Sequence, residues 1–348
     1  MWRVRRVWRV SGPPMFLQMH ITKECNLSCS HCYDASSYYP DSDELTTEEA
    51  TAVIKEFASF ASLHCRSGIV YLTGGEPLLR GDVYGLLETC RVYGLTTRLL
   101  TNGTLVDASV ARRIRDCGTT SVQVSIDGLQ ATHDAVRGPG TYEDAVRGID
   151  NLVSFGVPVT VMTTAGKHNA CELNVLWTDM VERGVRRLAF GRLVPAGRGR
   201  ELGGMLLSPD ECSRLFHAAL DFERAHRVEV VKRDPLWRVF DHACYPGCAT
   251  TGCSIGLNGL CVLQDGTVLP CRRLPVPVGN IREESIHSIW TGSPVLSSLK
   301  DRELTGRCGS CRLRMKCGGC RGVAYALTGD YSSEDPQCFL PTVNRRTG

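Results

Sequence analysis

Eight residues, Cys25-Asn26-Leu27-Ser28-Cys29-Ser30-His31-Cys32, put three thiols on one short loop at C-x3-C-x2-C spacing. The loop follows residues 15–21, an apolar stretch that reads as a buried strand. Three thiolates hold three irons of a four-iron cubane and leave the fourth open, whereas an electron carrier spends four cysteines per cubane. The spacing therefore points to a cluster that coordinates a small molecule at its open iron. Zinc is the competing metal. Its sites usually pair cysteines two residues apart and close the shell with a fourth donor, which this loop lacks.

The rest of the chain is compatible with that chemistry. At 348 residues it exceeds one average domain, and two domains are expected. With 43% hydrophobic and 22% charged residues the composition is globular, and no apolar run is long enough to cross a bilayer. The first ten residues carry Arg3, Arg5, Arg6 and Arg9 but lack the apolar core of a secretory signal. A cytoplasmic chain with no membrane association is expected, and there eighteen cysteines are a metal inventory and not a disulfide framework. The 40 basic residues are nearly balanced by 37 acidic ones, which gives no reason to expect nucleic acid as a partner.

From residue 15 to about 191, β-like runs alternate with amphipathic helices. Strands are expected at 16–21, 69–73, 97–101, 121–126, 157–163 and 187–190. One helix opens at Thr46 with a capping box to Glu49 and buries Val53, Ile54, Phe57, Phe60 and Ala61; another spans about 142–155. Six strand–helix units in series imply a parallel sheet curling toward a barrel. Its chemistry should collect at the C-terminal strand ends. The cysteine loop, Gly74-Gly75-Glu76-Pro77, Asn102-Gly103 and Asp127-Gly128 all fall there. The fold class expected is α/β, a partial (β/α)6 TIM-like barrel followed by a small cysteine-rich iron–sulfur domain. The expected divisions are a basic arm at 1–14, the barrel at 15–204, a helical bridge at 205–252 and the cysteine-rich domain at 253–348. Residues 194–204 read as a boundary loop, and the last domain as one with few helices, held by metal more than by apolar packing.

The cysteine loop, the Gly-Gly-Glu-Pro turn and the strand order resemble the radical S-adenosylmethionine superfamily. The resemblance implies that Cys25, Cys29 and Cys32 hold a [4Fe-4S] cluster whose open iron binds S-adenosylmethionine. It implies that Gly74, Gly75 and Glu76 cradle the methionine amino group, and that Ser125 and Arg137 contact its carboxylate or ribose. Asn102 is a further candidate, and Val194 lies where adenine meets the backbone. Glycine at the turn permits close backbone approach to a ligand. Asp127-Gly128 reads as a turn more than as a contact, and His31 as a flat packing residue. His133 and His168 read as ordinary surface or loop histidines.

Farther on, Cys253-x12-Gly266-x4-Cys271 precedes Cys308-x2-Cys311-x5-Cys317-x2-Cys320 and Cys338. This resembles the SPASM extension of radical enzymes, which implies two auxiliary [4Fe-4S] clusters and three in all. Cys253, Cys271 and Cys320 would hold the inner one, with Cys261 as the first choice for the fourth ligand, ahead of Cys248 or an open iron. Cys308, Cys311, Cys317 and Cys338 would hold the outer one. A zinc knuckle is the alternative for the two C-x2-C pairs. Cys65, Cys90, Cys117, Cys171 and Cys212 have no ligand spacing and are expected to be buried thiols.

The resemblance implies an oxidoreductase in which a 5′-deoxyadenosyl radical abstracts hydrogen and the auxiliary clusters accept an electron. The first substrate expectation is a ribosomally made peptide. The alternative is side-chain decarboxylation of a tetrapyrrole, because 317–331 also resembles heme-biosynthesis enzymes. A non-catalytic multi-cluster electron carrier is the rival from another class. Only about fifteen residues precede the first strand, so a partner protein or the basic N-terminal arm would supply any leader-peptide docking. Flavodoxin or ferredoxin is the expected electron donor, and Arg272 and Arg273, next to Cys271, are the candidate substrate anchors.

Overall fold

Strand β1 (Met15–His20) buries Met15, Leu17 and Met19 against helices and turns Phe16, Gln18 and His20 to the opposite face. The computed structural model describes residues 12–33, 43–242 and 253–341. Helix α1 (Thr47–Leu63) starts at the expected capping box, in which Thr46 and Glu49 satisfy each other's backbone N–H groups. There follow β2 (Gly68–Thr73), α2 (Val83–Val92), β3 (Thr96–Thr101), α3 (Ala108–Asp116), β4 (Ser121–Ser125), α4 (Gln130–Arg137) and α5 (Thr141–Ser154). Then come β5 (Val159–Ala165), α6 (Leu173–Glu182), β6 (Arg187–Arg192), α7 (Pro209–His226) and β7 (Glu229–Val230). The expected strands are all present, with ends displaced by one or two residues.

Strands β1 to β7 pair in parallel and in sequence order. The sheet does not stop at the expected domain boundary. β8 (Gly259–Val262) joins the free edge of β1 in parallel, and β9 (Thr267–Leu269) and β10 (Gly279–Asn280) extend it antiparallel to ten strands. Asp265-Gly266 makes the β8–β9 turn, with Thr267 N donating to Asp265 Oδ1 at 2.9 Å.

Two expectations are corrected here. The C-terminal region is not poor in helices: α8 (Ile286–Gly292), α9 (Pro294–Asp301), α10 (Gly306–Gly309) and α11 (Arg321–Thr328) follow β10. Nor does it stand apart from apolar packing, since Leu260, Val262, Val268, Ile286, Ile289 and Leu296 belong to the same core as the barrel. Sheet edges seek partners because an unpaired edge leaves backbone groups unsatisfied. The cysteine-rich region supplies the partner for β1. Among the described residues no helix is long and apolar enough to cross a membrane.

Candidate functional site

The Gly74-Gly75-Glu76 turn lies directly under the backbone that enters the cysteine loop. Gly75 N donates to Thr22 O at 2.8 Å and Glu76 N to Glu24 O at 2.7 Å. A Cβ at Gly74, which has φ +155°, would run into Thr22 O, and one at Gly75 into Glu24 O. What approaches these glycines closely is the neighbouring loop, so their first task is to seat the cysteines on the sheet. Glu76 is fully buried. Its Oε1 accepts from Thr101 Oγ1 at 2.7 Å and Leu78 N at 3.2 Å, and its Oε2 from Asn102 N at 2.8 Å. Burial pushes its pKa up to about 7 against those donors. Asn102 Nδ2 donates to Asn26 Oδ1 at 2.8 Å, and Asn26 Nδ2 to Thr104 Oγ1 at 2.9 Å. The end of β3 thus holds the first residue after Cys25.

Asp127 is a hub, not a simple turn residue. It is fully buried, and its Oδ2 takes Arg137 Nε at 2.7 Å and His31 Nε2 at 3.1 Å, while Oδ1 takes Thr164 N at 2.7 Å. Burial alone would raise its pKa, but Arg137 and His31 hold the carboxyl well below the usual range. Arg137 Nη1 continues to Cys29 Sγ at 3.9 Å. His31 therefore does more than pack: it ties the loop to β4. His133 is not a surface residue either. It is buried on α4, and its Nδ1 accepts from Asp127 N at 3.1 Å; burial pushes its pKa down to about 4, consistent with that acceptor role. His168 is half-buried nearby, and burial lowers its pKa too.

Residues 194–204 are likewise more than a boundary. Arg198 Nε donates to Cys29 O at 3.0 Å, and Gly199 N reaches Cys32 O at 3.4 Å. Val194 is buried beside Cys320, and its carbonyl accepts from Ala196 N at 2.8 Å. Ser125 is half-buried at the end of β4, on the face opposite Val122 and Val124. Of the candidate S-adenosylmethionine residues, Gly75, Glu76, Asn102 and Arg137 touch the cysteine loop or the backbone that enters it.

In the C-terminal region Cys308, Cys311, Cys317 and Cys338 ring a cavity of about 320 Å³. Backbone N–H groups point at the sulfurs: Asp335 to Cys308 at 3.4 Å, Leu313 to Cys311 at 3.3 Å and Gly319 to Cys317 at 3.4 Å. Such donors stabilise thiolate and tune cluster potential. Among the described residues no three His, Cys, Asp or Glu side chains converge closely enough for a single metal ion. Cys253, Cys271 and Cys320 form the other group. Burial pushes Cys253 up to about 12; Arg302 opposes this, and Cys320 and Cys271 add to it. Ligation must remove that proton. Cys261 lies on β8 opposite Gln18 of β1 and Leu269 of β9, and Leu269 is two residues before Cys271. Cys244 and Cys248 lie outside the described residues. Of the other thiols Cys90, Cys117 and Cys212 are buried and Cys65 half-buried, but Cys171 is exposed.

Arg272 and Arg273 turn toward the barrel. Arg272 Nη1 donates to Gln18 Oε1 at 3.1 Å, and its guanidinium lies 5.6 Å from the Tyr33 ring. Arg273 lies against Gly191 of β6, where a Cβ would strike its guanidinium. Gln18, Tyr71 and Arg98 form one row across β1, β2 and β3. Arg98 and Arg233 lie 5.5 and 4.9 Å from the Tyr71 ring centre, and Arg233 also bonds the Tyr71 hydroxyl. Arg98 Nε is buried without a partner among the described residues. Arg187 is held by Glu229 at 2.7 Å. Arg98, Arg187 and Arg233 thus gather around Tyr71 with Glu229 as their nearby carboxylate, Arg272 lies beside them on Gln18, and Arg273 lies on β6 at Gly191. Sequence reasoning missed Asp127, His31, Arg98 and Arg233 as site residues. The available signal was a charged residue within or shortly after a buried strand for Asp127, Arg98 and Arg233, and a place inside the cysteine loop for His31.

Residues 19–175 match the model of the radical SAM superfamily, and residues 253–312 that of the SPASM iron–sulfur cluster-binding domain. The chain is 35% identical to the AdoMet-dependent heme synthase of Methanosarcina barkeri (strain Fusaro / DSM 804), over 95% of this chain and 97% of the relative. It is 28% identical to the PqqA peptide cyclase of Rhizobium meliloti (strain 1021), over 96% and 89%. In fold it is similar to native anSMEcpe with bound AdoMet, with TM-score 0.72, 21% identity and 94% of each chain covered.

Proposed function

The chain belongs to the radical SAM superfamily and is a radical SAM enzyme with a SPASM region; from that premise we propose that it oxidatively decarboxylates propionate side chains of a tetrapyrrole. The observation that carries the reading is the gathering of arginines around Gln18 and Tyr71. Arg272 and Arg273 leave the chain right after Cys271, and Arg98 and Arg233 stand on Tyr71, the residue paired with Arg272's partner Gln18. Guanidinium groups bind carboxylates bidentately, and a macrocycle with several propionates uses several of them. The 35% identity to a heme synthase over nearly the whole chain supports the same substrate class.

Cys25, Cys29 and Cys32 would hold the open cluster, Cys253, Cys271 and Cys320 with Cys261 the inner auxiliary one, and Cys308, Cys311, Cys317 and Cys338 the outer. Bound there, the clusters and S-adenosylmethionine would supply a carbon-centred radical for hydrogen abstraction and a place for the electron that decarboxylation leaves over. Gly74, Gly75, Glu76, Asn102, Ser125, Arg137 and Val194 are assigned to S-adenosylmethionine. Arg137 has committed Nε to Asp127 and Nη1 to Cys29, so Nη2 is the atom left to meet a ligand carboxylate. In the substrate, loss of a hydrogen atom and of carbon dioxide turns a propionate into a vinyl group and releases one electron. Arg272 positions the propionate while Tyr33 supports its guanidinium.

Peptide modification is the second reading, favoured by the likeness to a peptide cyclase; there the arginines would take acidic side chains. The deciding assay compares a propionate-bearing tetrapyrrole, its methyl ester and an acidic peptide with anaerobically reconstituted enzyme. Carbon dioxide and 5′-deoxyadenosine should rise together only with the free propionates. In Arg272→Ala or Arg273→Ala, product should fall by about tenfold or more relative to unproductive cofactor cleavage, the loss expected for one charge-assisted contact. Equal stimulation by the ester, or by the peptide alone, overturns the reading.

A further inference from the structure

Between residues 307 and 316 the chain exposes Arg307, Arg312, Arg314 and Lys316, and no acidic residue interrupts them. The same ten residues contain Cys308 and Cys311. The cavity ringed by Cys308, Cys311, Cys317 and Cys338 opens at this face, with Arg307, Ser310, Arg312 and Arg314 among its lining residues. Cys311 is half-buried, whereas Cys308 and Cys317 are buried. Met315, 56% exposed, adds an apolar contact inside the collar. Arg307 is partly engaged, its Nη2 donating to Leu340 O at 2.9 Å and its backbone N to Glu334. Arg312, Arg314 and Lys316 make no ion pair among the described residues.

We infer that this collar is the docking face for an acidic one-electron carrier protein that exchanges electrons with the outer auxiliary cluster. The inference rests on the reading that these four cysteines hold an iron–sulfur cluster. Each turnover of the proposed oxidation leaves one electron. Its passage out oxidises the cluster by one electron and reduces the carrier by one, with no bond made or broken. A cationic rim around a redox group steers an anionic partner and speeds encounter, in a salt-dependent way. A soft methionine within the rim suits a transient apolar contact. A membrane or a nucleic acid would meet the charge but would have no use for the cluster inside it.

The test uses reconstituted holoenzyme and an acidic [2Fe-2S] ferredoxin, with no tetrapyrrole present, so its failure is separate from failure of the substrate reading. Arg312→Glu/Arg314→Glu/Lys316→Glu should keep its iron content yet bind ferredoxin at least about tenfold more weakly, with a flattened salt dependence. Oxidation of the dithionite-reduced enzyme by ferredoxin should slow equally, while oxidation by a small neutral acceptor is unchanged. The control Arg112→Glu/Arg115→Glu, on α3, should leave both unaffected. If the triple variant loses iron, the single changes Arg312→Gln and Arg314→Gln should each weaken binding with iron retained. Unaltered ferredoxin binding in the variants, an equal loss in the α3 control, or capture of phosphatidylserine vesicles in place of ferredoxin would overturn the inference.

Discussion

Two buried aspartate–arginine pairs hold the two cysteine regions, and they are built differently. At the barrel mouth Asp127 joins Arg137, His31 and Thr164 N, and Arg137 reaches on to Cys29. In the C-terminal region Asp335 joins Arg192, receives the N–H of Cys320 at 2.8 Å and directs its own N–H to Cys308. Arg192 also binds Asp234 and Gln337. The second hub is dry, with side-chain exposures of 0–2%, whereas Arg137 is 10% exposed. The first leaves one edge of its cation accessible, with His31 and His133 buried against Asp127. The second welds β6 to one cysteine of each auxiliary set. A site that must admit a ligand keeps part of its charge accessible; a site that only holds its cysteines buries all of it.

The largest effect should come from the dry hub. Arg192→Leu leaves Asp234 and Asp335 buried without their cation, at a cost of about 3–5 kcal/mol. Denaturant unfolding should show that loss, and iron analysis should show depletion of both auxiliary sets. A variant with ordinary stability would erase the contrast between the hubs.

Titration sharpens it next. Glu76, raised to about 7, favours the folded state below its unfolded pKa and loses that contribution as pH rises through 7. His133, lowered to about 4, works the other way: its penalty fades as pH rises from about 4 to its unfolded value. Each is worth roughly 3 kcal/mol by its shift, so the two nearly cancel in the metal-free chain. Glu76→Gln should expose the histidine contribution as stability that rises between pH 4 and 7, measured by urea midpoints. A flat profile in that variant would remove the barrel mouth's claim to pH-sensitive groups.

Asp127→Asn keeps the shape but removes the charge opposite Arg137 and His31, which should cost about 1.5–3 kcal/mol. S-adenosylmethionine affinity should fall while auxiliary iron is retained, by calorimetry and iron analysis. Loss of all iron would mean that the two regions are not independently held. The smallest effect concerns the contact between them. Arg282 pairs with Glu49, whose pKa it lowers to about 2, at 2.7 Å across a partly exposed surface. Arg282→Ala should cost less than about 1 kcal/mol, and a thermal midpoint resolves it.

Much of the frame was legible because it is local. Cysteine spacing, the Thr46–Glu49 cap and the buried alternation of β1 to β6 each depend on neighbours within a turn or a strand. Arg272 was legible as a candidate because it follows Cys271, but its partner Gln18 is 254 positions away. Asp127 looked like turn material because its sequence neighbourhood is Asp-Gly; only folding brings Arg137, His31 and Thr164 N to it.

By itself the sequence determined which thiols stand at ligand spacing, three on the loop after β1 and seven more in spaced sets, and the barrel that carries them. Those follow from spacing along one chain, where geometry is set by a few bonds. Tertiary structure decided which charges are neutralised and which are kept. Arg192 and Asp335, 143 positions apart, cancel in a dry core, whereas Arg98 and Arg233 meet on Tyr71, next to Arg272 on Gln18, with Glu229 as the nearby carboxylate. Charge balance is a property of three-dimensional neighbourhoods, because Coulomb energy depends on separation and local polarisability and not on position along the chain.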